Sequence, residues 1–201
     1  MLKVALLGAP GAGKDTLSCL LKVKLGKMSV GGKLVKTRQI AEFSVLWTDK
    51  TGPTKEVFEQ FYIWYKQNRW DRDFDRRKED PYTVTISAAP APLAYFFTLA
   101  FSDTCDEKHR LLLADLYERA LSGLLKFDVI FYLPTEFRVP DGDRLRKRSF
   151  RQSLDAAIRS FLLNHRIPFT ELRGDEFKRA DKAFRILKKK VIEQIAAKSP
   201  Q

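Results

Sequence analysis

A glycine-rich segment near the start of the chain combines backbone amides and a lysine at a spacing suited to holding phosphate groups. Glycines let the backbone curl so that successive N–H groups point inward, and a following helix adds its positive end to the same cavity. The lysine then reaches the outer phosphates as a point charge. The spacing G-x-x-x-x-G-K, with an apolar run before it and another after it, predicts a P-loop that binds a nucleoside triphosphate. Its residues are Gly8, Ala9, Pro10, Gly11, Ala12, Gly13, Lys14, Asp15 and Thr16.

The position after the lysine departs from the usual pattern and bears on metal binding. A Ser or Thr hydroxyl normally follows the lysine and touches Mg²⁺, whereas this chain has Asp15 there and Thr16 next. We predict that these two residues hold Mg²⁺, with Asp15 acting directly or through a water molecule. The alternative is that Thr16 only begins the helix.

The acid that usually completes such a site is missing from the end of the predicted central strand. Residues 82–87 are β-branched and alternating, and they lead into Ser87-Ala88-Ala89. A hydroxyl is a poorer metal partner than a carboxylate, so Ser87 is a weak substitute. Asp15 and Asp103 are the candidate replacements.

Five apolar or β-branched runs separated by helical patterns are typical of an α/β fold in which helices wrap a parallel five-stranded sheet. Ser149 and Gln152 form a capping box for one of the helices. The length of 201 residues predicts one domain, with a substrate-side insertion at residues 46–80 and a lid loop at residues 138–149. Predicted strands cover residues 3–7, 33–38, 82–87, 127–134 and 169–172, and predicted helices cover residues 14–25, 54–68, 93–101, 108–125, 149–164 and 181 onward.

Polar residues after the second predicted strand lie where substrates bind in this kind of sheet. Ligands bind at the carboxyl ends of the strands in open α/β sheets, and residues 37–43 lie at such an end. We predict that Glu42 meets the acceptor hydroxyl, as a base or as an anchor, and we assign Arg38 to the substrate site. The alternative is that Glu42 is a helix-start acid or a solvated surface acid.

The predicted helix at residues 54–68 is unusually aromatic. Val57, Phe61, Trp64 and Tyr65 recur near helical spacing, and most aromatics in such a pattern belong to a core. Aromatics interleaved with basic residues can also stack a base and attract a phosphate backbone. We favour core packing for the helix as a whole, and we regard the segment, including Trp64, as the best candidate for substrate specificity.

A basic loop after the fourth predicted strand is a source of cations for phosphoryl transfer. That reaction needs neutralisation of the charge that develops on the phosphoryl oxygens. We assign Arg144 and Arg146 of this loop to catalysis. The alternative is an exposed basic loop with no role in the reaction.

Composition limits the classes of partner. The net charge of +12 and the pI of 9.7 favour anionic partners, of which nucleic acid is one. The simpler interpretation is a basic enzyme that handles nucleotides. The two cysteines provide no disulfide or metal framework, and we expect Cys19 to be a core residue in a reducing cytoplasm. No run approaches the roughly 20 apolar residues that cross a bilayer, so we expect a cytoplasmic protein with no membrane partner.

Several motifs together resemble the P-loop kinases related to nicotinamide riboside kinase, a group that includes many phage and bacterial ATP-binding proteins. The resemblance covers most of the chain in order. It implies that residues 8–16 bind ATP, that Arg144 and Arg146 belong to the lid, and that Glu42 and Gln60 face the acceptor. We also assign Gly174 and Asp175, in the turn after the last predicted strand, to the ATP site. The segments are G-A-P-G-A-G-K-D-T, E-F after the second strand, F-D-V-I-F-Y-L-P, V-P-D-G-D-R-L-R, S-F-R-Q-S-L-D-A-A-I-R and I-P-F-T-E-L-R-G.

Three functions fit these patterns. The first is a kinase that moves the γ-phosphate of ATP to a nucleoside or nucleotide. The second places the acceptor inside DNA, as a hydroxymethylated base of the kind found in phage DNA, and it is motivated by the charge and the aromatic-basic segment. The third is a nucleotide-binding module that regulates without turnover, and it is motivated by the missing acid at the strand end.

Overall fold

Seven strands and seven helices make up the part of the chain that the computed structural model describes, which is residues 1–52, 57–73, 80–101, 107–137 and 147–198. The strands are β1 (Leu2–Leu7), β2 (Ser29–Val30), β3 (Lys33–Leu34), β4 (Lys36–Ile40), β5 (Thr83–Ser87), β6 (Val129–Tyr132) and β7 (Thr170–Glu171). The helices are α1 (Lys14–Gly26), α2 (Phe43–Thr51), α3 (Val57–Asp73), α4 (Leu93–Phe101), α5 (Glu107–Leu124), α6 (Arg148–Asn164) and α7 (Glu176–Lys198).

The central sheet has five parallel strands in the order β4-β5-β1-β6-β7. Its inner strands are nearly continuous apolar or β-branched runs, as expected for strands that helices cover on both faces. Ala5 of β1 pairs with Ser87 of β5 and with Ile130 of β6, which aligns the carboxyl ends of the three strands. The predicted α/β architecture, a parallel five-stranded sheet wrapped by helices, is confirmed.

Helices pack on both faces of this sheet and form two core clusters. On one face, α1 and α7 cover Leu2, Val4 and Leu6 of β1. On the other face, α4, α5 and α6 cover Ala5 and Leu7 of the same strand. Successive side chains of β1 point to opposite faces of the sheet, so they are divided between the two clusters. The loop after Leu7 leaves the sheet at the end of this strand.

The edge of the sheet differs from the sequence prediction. The single strand predicted at residues 33–38 is replaced by an antiparallel hairpin of β2 and β3, followed by the edge strand β4. The helix predicted at residues 54–68 corresponds to α3, which is described over Val57–Asp73 and ends later than predicted, and the chain forms the unpredicted helix α2 before it. None of the residues of α2 is buried, so its sequence carries no apolar stripe that would have revealed it.

Two smaller predictions were wrong. Cys19 is exposed rather than part of the core, because it faces away from the buried side of α1. Ser149 and Gln152 do not form a capping box, since α6 begins one residue earlier and Lys147 is its N-cap, without a side-chain capping hydrogen bond. No helix in the described ranges combines the length and the apolar character needed to cross a membrane.

Candidate active site

The glycine-rich loop lies between the carboxyl end of β1 and the start of α1. Gly8 has no room for a side chain, since a Cβ atom there would lie 2.5 Å from the carbonyl oxygen of Leu133. Gly13, with a φ of +91°, adopts the left-handed conformation and is the N-cap of α1. It has no side chain to cap the first amides of the helix. These amides, the loop and the positive end of α1 therefore form an arrangement that fits a phosphate group.

Lys14 lies beneath this loop and is almost completely buried. Its ammonium group donates hydrogen bonds to the carbonyl oxygens of Gly8, at 3.0 Å, and Ala9, at 3.2 Å. Burial lowers the pKa of Lys14, while the nearby carboxylates of Glu42 and Asp15 act in the opposite direction. Both predicted acids therefore lie close enough to act electrostatically on the loop lysine.

Two buried arginines hold the loop, and neither of them lines the cavity into which the loop opens. Arg151 of α6 donates through Nε to the carbonyl oxygen of Pro10, at 2.8 Å, and through both terminal nitrogens to that of Phe137. Arg179 of α7 donates to the carbonyl oxygen of Ala12, at 2.7 Å. Each contact holds one carbonyl group of the loop in place. Because this carbonyl and the N–H of the next residue belong to one planar peptide group, the contact also sets the direction of that N–H.

Sequence reasoning missed these arginines, although a signal for one of them was present. Arg151 precedes Leu154 by three residues and Ile158 by seven, so it belongs to the apolar stripe of its helix. An arginine within such a stripe is buried and must find acceptors.

The loop opens into a cavity of about 560 Å³ between α2, α3 and the start of α4. The loop side is formed by Pro10, Gly11, Lys14 and Asp15, and the opposite walls combine apolar and polar side chains. A concave site with a few polar groups among apolar walls is the usual form of a small-molecule site. The larger apolar and aromatic wall residues are Val45, Ile63, Trp64, Leu93 and Phe97, and the polar ones are Glu42, Ser44, Thr48, Asp49, Gln60 and Gln67.

Most of the predicted acceptor residues come together in this cavity. Glu42 follows β4 directly, is the N-cap of α2 and accepts a hydrogen bond from the hydroxyl of Ser44. Gln60 and Trp64 lie one turn apart on the buried side of α3, with 6% and 8% of their surface exposed. Arg38 is the exception. It lies within β4 opposite Thr85, is half-buried and does not line the cavity.

The predicted metal ligands are placed differently from one another. Asp15 lines the cavity beside Lys14, whereas Thr16 is exposed and does not line it. Carboxylate oxygens are hard ligands that suit Mg²⁺, so the Asp15 carboxylate on the loop side of the cavity fits this ion. Within the described ranges, no group of three or more acidic, histidine or cysteine side chains is arranged to hold a metal by itself.

Gly174 and Asp175 lie in the turn before α7 and do not line the cavity. The Gly174 amide donates to the carboxylate of Glu136, at 2.8 Å, and Glu136 also accepts from Arg179, at 2.7 Å. The turn is thus connected to the loop through the arginine that holds Ala12. Arg144, Arg146 and Asp103 lie outside the described residues, as does most of the predicted lid loop.

The end of β5 carries an acid that the sequence did not reveal. Ser87, the last residue of the strand, is fully buried and donates its hydroxyl hydrogen to Asp71 of α3, at 3.0 Å. The other oxygen of Asp71 accepts from the amide of Ala91, at 2.9 Å. A carboxylate therefore lies at this strand end, although it comes from a helix 16 residues earlier in the chain.

A family model described as an AAA domain matches residues 3–179. The chain belongs to this family. No protein with a curated description matches the sequence significantly.

Solved structures of P-loop kinases share the fold of this AAA-domain chain. Deoxyadenosine kinase from M. mycoides, solved with dCMP and dCDP, has a TM-score of 0.65 at 17% identity, and the match covers 94% of this chain and all of that one. The NadR protein in complex with NR has a TM-score of 0.68 at 14% identity, and the match covers 94% of this chain and 51% of that one. Thymidylate kinase from Candida albicans has a TM-score of 0.64 at 14% identity, and the match covers 94% of this chain and 92% of that one. The predicted relation to P-loop nucleoside and nucleotide kinases is confirmed at the level of the fold.

Proposed function

We propose that this protein is an ATP-dependent kinase that transfers the γ-phosphoryl group to a hydroxyl of a nucleoside or nucleotide. One observation carries the proposal. Lys14 of the phosphate-binding loop and Glu42 at the end of β4 open into the same cavity. A donor phosphate held by the loop and an acceptor held by the opposite walls would therefore meet between a cation and a potential base.

The loop supplies what phosphoryl transfer requires on the donor side. Its amides and the Lys14 ammonium stabilise negative charge on the phosphate oxygens. Asp15, on the same side of the cavity, would hold Mg²⁺ together with the nucleotide. When bound, Mg²⁺ would neutralise charge on the transferred group and orient it.

Glu42 supplies the proton acceptor on the other side. Its carboxylate accepts a hydrogen bond from Ser44, which limits the directions in which it can point. In our proposal it accepts the proton of the acceptor hydroxyl as the oxygen attacks the γ-phosphorus. The bond between this phosphorus and the bridging oxygen of ATP breaks, and ADP leaves.

The walls of the cavity favour an acceptor that carries a base. Ile63, Trp64 and Phe97 provide flat or apolar contact area, and the Gln60 amide is a polar group of the kind that hydrogen-bonds a base edge. The volume of about 560 Å³ lies within the range of small-molecule sites. Apolar walls with a few amides and hydroxyls suit the base and sugar of a nucleoside or nucleotide.

The test is transfer of label from γ-labelled ATP, with Mg²⁺, to pooled nucleosides, pooled nucleotides and DNA. We expect label on a member of the first two pools and its loss in Lys14→Ala. Lys22→Ala removes an exposed lysine from the same helix and should transfer like the wild type. Transfer that survives unchanged in Lys14→Ala would overturn the proposal.

A second acceptor class, a hydroxymethylated base within DNA, is favoured by the outer side of α3. Phe58 and Tyr65 are 57% and 50% exposed on this helix, and Lys66 and Arg69 follow Tyr65 along it. Exposed aromatics interleaved with basic residues suit a nucleic-acid strand, and the net charge of +12 has the matching sign. An enzyme acting on a base in a duplex would have to flip it out of the stack.

The same assay separates these possibilities when DNA with and without hydroxymethylated bases is included. Label on the modified DNA, together with binding that weakens steeply as salt increases, would support the second acceptor class. Absence of DNA binding at low salt would exclude it. Tight ATP binding with no label on any acceptor would instead indicate a regulatory module without turnover.

A further inference from the structure

The backbone on both sides of Glu42 is held by one buried side chain, that of Gln67 in α3. Its Oε1 accepts a hydrogen bond from the amide of Phe43, at 2.8 Å, and its Nε2 donates to the carbonyl oxygen of Ala41, at 3.2 Å. Only 3% of Gln67 is exposed. The residues immediately before and after Glu42 are thus fixed by the two ends of the same amide group.

The second hydrogen of the same amide nitrogen connects this contact to the centre of the sheet. Gln67 Nε2 also donates to Oδ1 of Asp71, at 3.3 Å. Asp71 accepts from the Ser87 hydroxyl, at the end of β5, and from the Ala91 amide, just before α4. A continuous series of hydrogen bonds therefore runs from the backbone around Glu42 to the end of β5. This strand lies next to β1 in the sheet, and the phosphate-binding loop follows β1.

We propose that Gln67 and Asp71 are positioning residues that hold Glu42 at a fixed place relative to the phosphate-binding loop. The inference rests on the proposed kinase function, in which Glu42 accepts the proton. Glu42 follows an edge strand and begins α2, a helix without buried residues. Neither element restricts it strongly, so its position depends on the contacts of its neighbours.

The directions of these hydrogen bonds explain why a carboxylate is needed at residue 71. Asp71 receives donors on both oxygens, from Ser87 and Gln67 on Oδ1 and from Ala91 on Oδ2. An asparagine at this place would point its NH₂ group at another donor in either orientation. A carboxylate accepts from both sides, and it also fixes the orientation of the Gln67 amide, so that Oε1 faces Phe43.

A double-mutant cycle at residues 67 and 71 tests this arrangement, and of the two residues only Gln67 lines the cavity. Gln67→Glu keeps the acceptor for the Phe43 amide but places a second carboxylate beside Asp71. In Asp71→Asn alone, the new NH₂ group faces another donor, which is either the NH₂ group of Gln67 or the backbone amide of Ala91. The double variant Gln67→Glu/Asp71→Asn restores a donor from residue 71 to residue 67 and keeps acceptors for Phe43 and Ala91. The contact with Ala41 is lost, and the Ser87 hydroxyl must turn so that it accepts a hydrogen bond from the new NH₂ group of residue 71.

We expect kcat for label transfer to fall about 100-fold in Gln67→Glu and by a smaller factor in Asp71→Asn, because small displacements of a reacting group have effects of this order. The double variant should recover to within about tenfold of the wild type, since the two changes are coupled. The Kd for ATP should stay within about twofold of the wild-type value in all three, since the loop and Lys14 are unchanged. Gln194→Glu is the matched control. The Gln194 amide is remote from the site and donates to the carbonyl oxygen of Pro81, so this variant should transfer label like the wild type.

The outcomes separate this inference from the proposed function. A wild-type protein that transfers no label to any acceptor overturns both. Transfer by the wild type, with effects of the two substitutions on kcat that simply multiply, overturns the positioning role alone. If a substitution at residue 71 prevents folding, Ser87→Ala replaces it, with an expected decrease in kcat of about threefold, because Asp71 then loses one of the hydrogen bonds that hold it. Unchanged kcat in that variant would also count against the positioning role.

Discussion

The phosphate half of the cavity comes from one contiguous segment, residues 8–15, whereas the acceptor half comes from β4, α2, α3 and the start of α4. The first half is fixed by guanidinium groups of Arg151 and Arg179, which hold carbonyl oxygens of the loop. The second half is fixed by an amide and a carboxylate, those of Gln67 and Asp71. The two halves therefore depend on different interactions, and they can be disturbed separately.

This difference follows from what each half has to recognise. A triphosphate presents the same oxygens in every nucleotide, and backbone amides in a fixed loop are sufficient to bind them. An acceptor differs from one enzyme to the next, so side chains from several elements must provide its contacts. The phosphate half is for this reason recognisable from a short motif, and the acceptor half is not.

The largest effect should come from Glu42→Gln, which removes the proposed proton acceptor and leaves the phosphate half intact. We expect transfer to fall about 10³-fold, the order associated with losing a general base, with no change in ATP affinity. The measurement is label transfer beside titration with a fluorescent ATP analogue. Glu118→Gln, at an exposed position of α5, is the control. Equal loss of transfer and of ATP binding would contradict the separation of the two halves.

The next effect concerns the phosphate half and is measured as stability. Arg179→Met removes a buried guanidinium that holds Ala12 and pairs with Glu136. We expect the free energy of unfolding to fall by about 3 kcal/mol, because breaking a buried pair leaves its partners unsatisfied. ATP affinity should fall as well, since the loop carbonyl is released. Urea denaturation and ATP titration measure the two quantities.

Arg173→Met is the matched control for this prediction. Arg173 contacts the same Glu136, at 3.2 Å, but its side chain is 63% exposed. An exposed ion pair contributes about 1 kcal/mol or less, so this variant should bind ATP normally and lose little stability. Similar losses in the two variants would show that the hydrogen bond to Ala12 has no special role.

A smaller effect is expected for recognition of the acceptor. Gln60→Leu replaces a buried amide of α3 with an apolar side chain of similar size. We expect KM for the acceptor to rise about tenfold, which corresponds to one lost hydrogen bond, while KM for ATP stays the same. Gln194→Leu is again the remote control. A higher KM for ATP instead would place Gln60 in the phosphate half.

Most of the sheet was predictable because buried parallel strands are apolar runs. β1, β5 and β6 have this character, and they were found close to their actual bounds. β4 was misplaced because it is an edge strand whose sequence, Lys36–Ile40, is mainly polar. Among the site residues, the loop was recognised from its glycine-lysine motif, and Glu42 was assigned from its place after the second predicted strand.

The contacts that were not predictable join residues far apart in the chain. Asp71 lies 16 residues from Ser87, and Arg179 lies 167 residues from Ala12. No local pattern specifies that a charge on one helix will meet a strand end or a loop carbonyl. These contacts are set by how α3 packs against α2 and α4 and by how α7 packs against α1 and β1, which the order of elements alone leaves open.

The smallest predicted effect is a pH dependence of stability in the phosphate half. Burial opposes ionisation of Glu136, but the hydrogen bonds from Arg179 and the Gly174 amide outweigh it and hold its pKa below the ordinary value of 4.5. A carboxyl whose pKa is lowered by folding stabilises the protein above its ordinary pKa, and this contribution is lost as the pH falls through the lowered value.

Glu136→Gln removes this ionisation while keeping an acceptor for Arg179. Near pH 7 the variant should be less stable than the wild type by about 1 kcal/mol, the value expected for a partly exposed charge-assisted hydrogen bond. The difference should shrink as the pH falls from about 4.5, because the wild-type carboxyl becomes protonated and then resembles the amide. Urea denaturation near pH 7 and at about pH 3.5 measures it, with Glu118→Gln as the exposed control. A difference that does not change with pH would mean that Arg179 needs only a neutral acceptor, so that the phosphate half would be fixed by geometry rather than by charge.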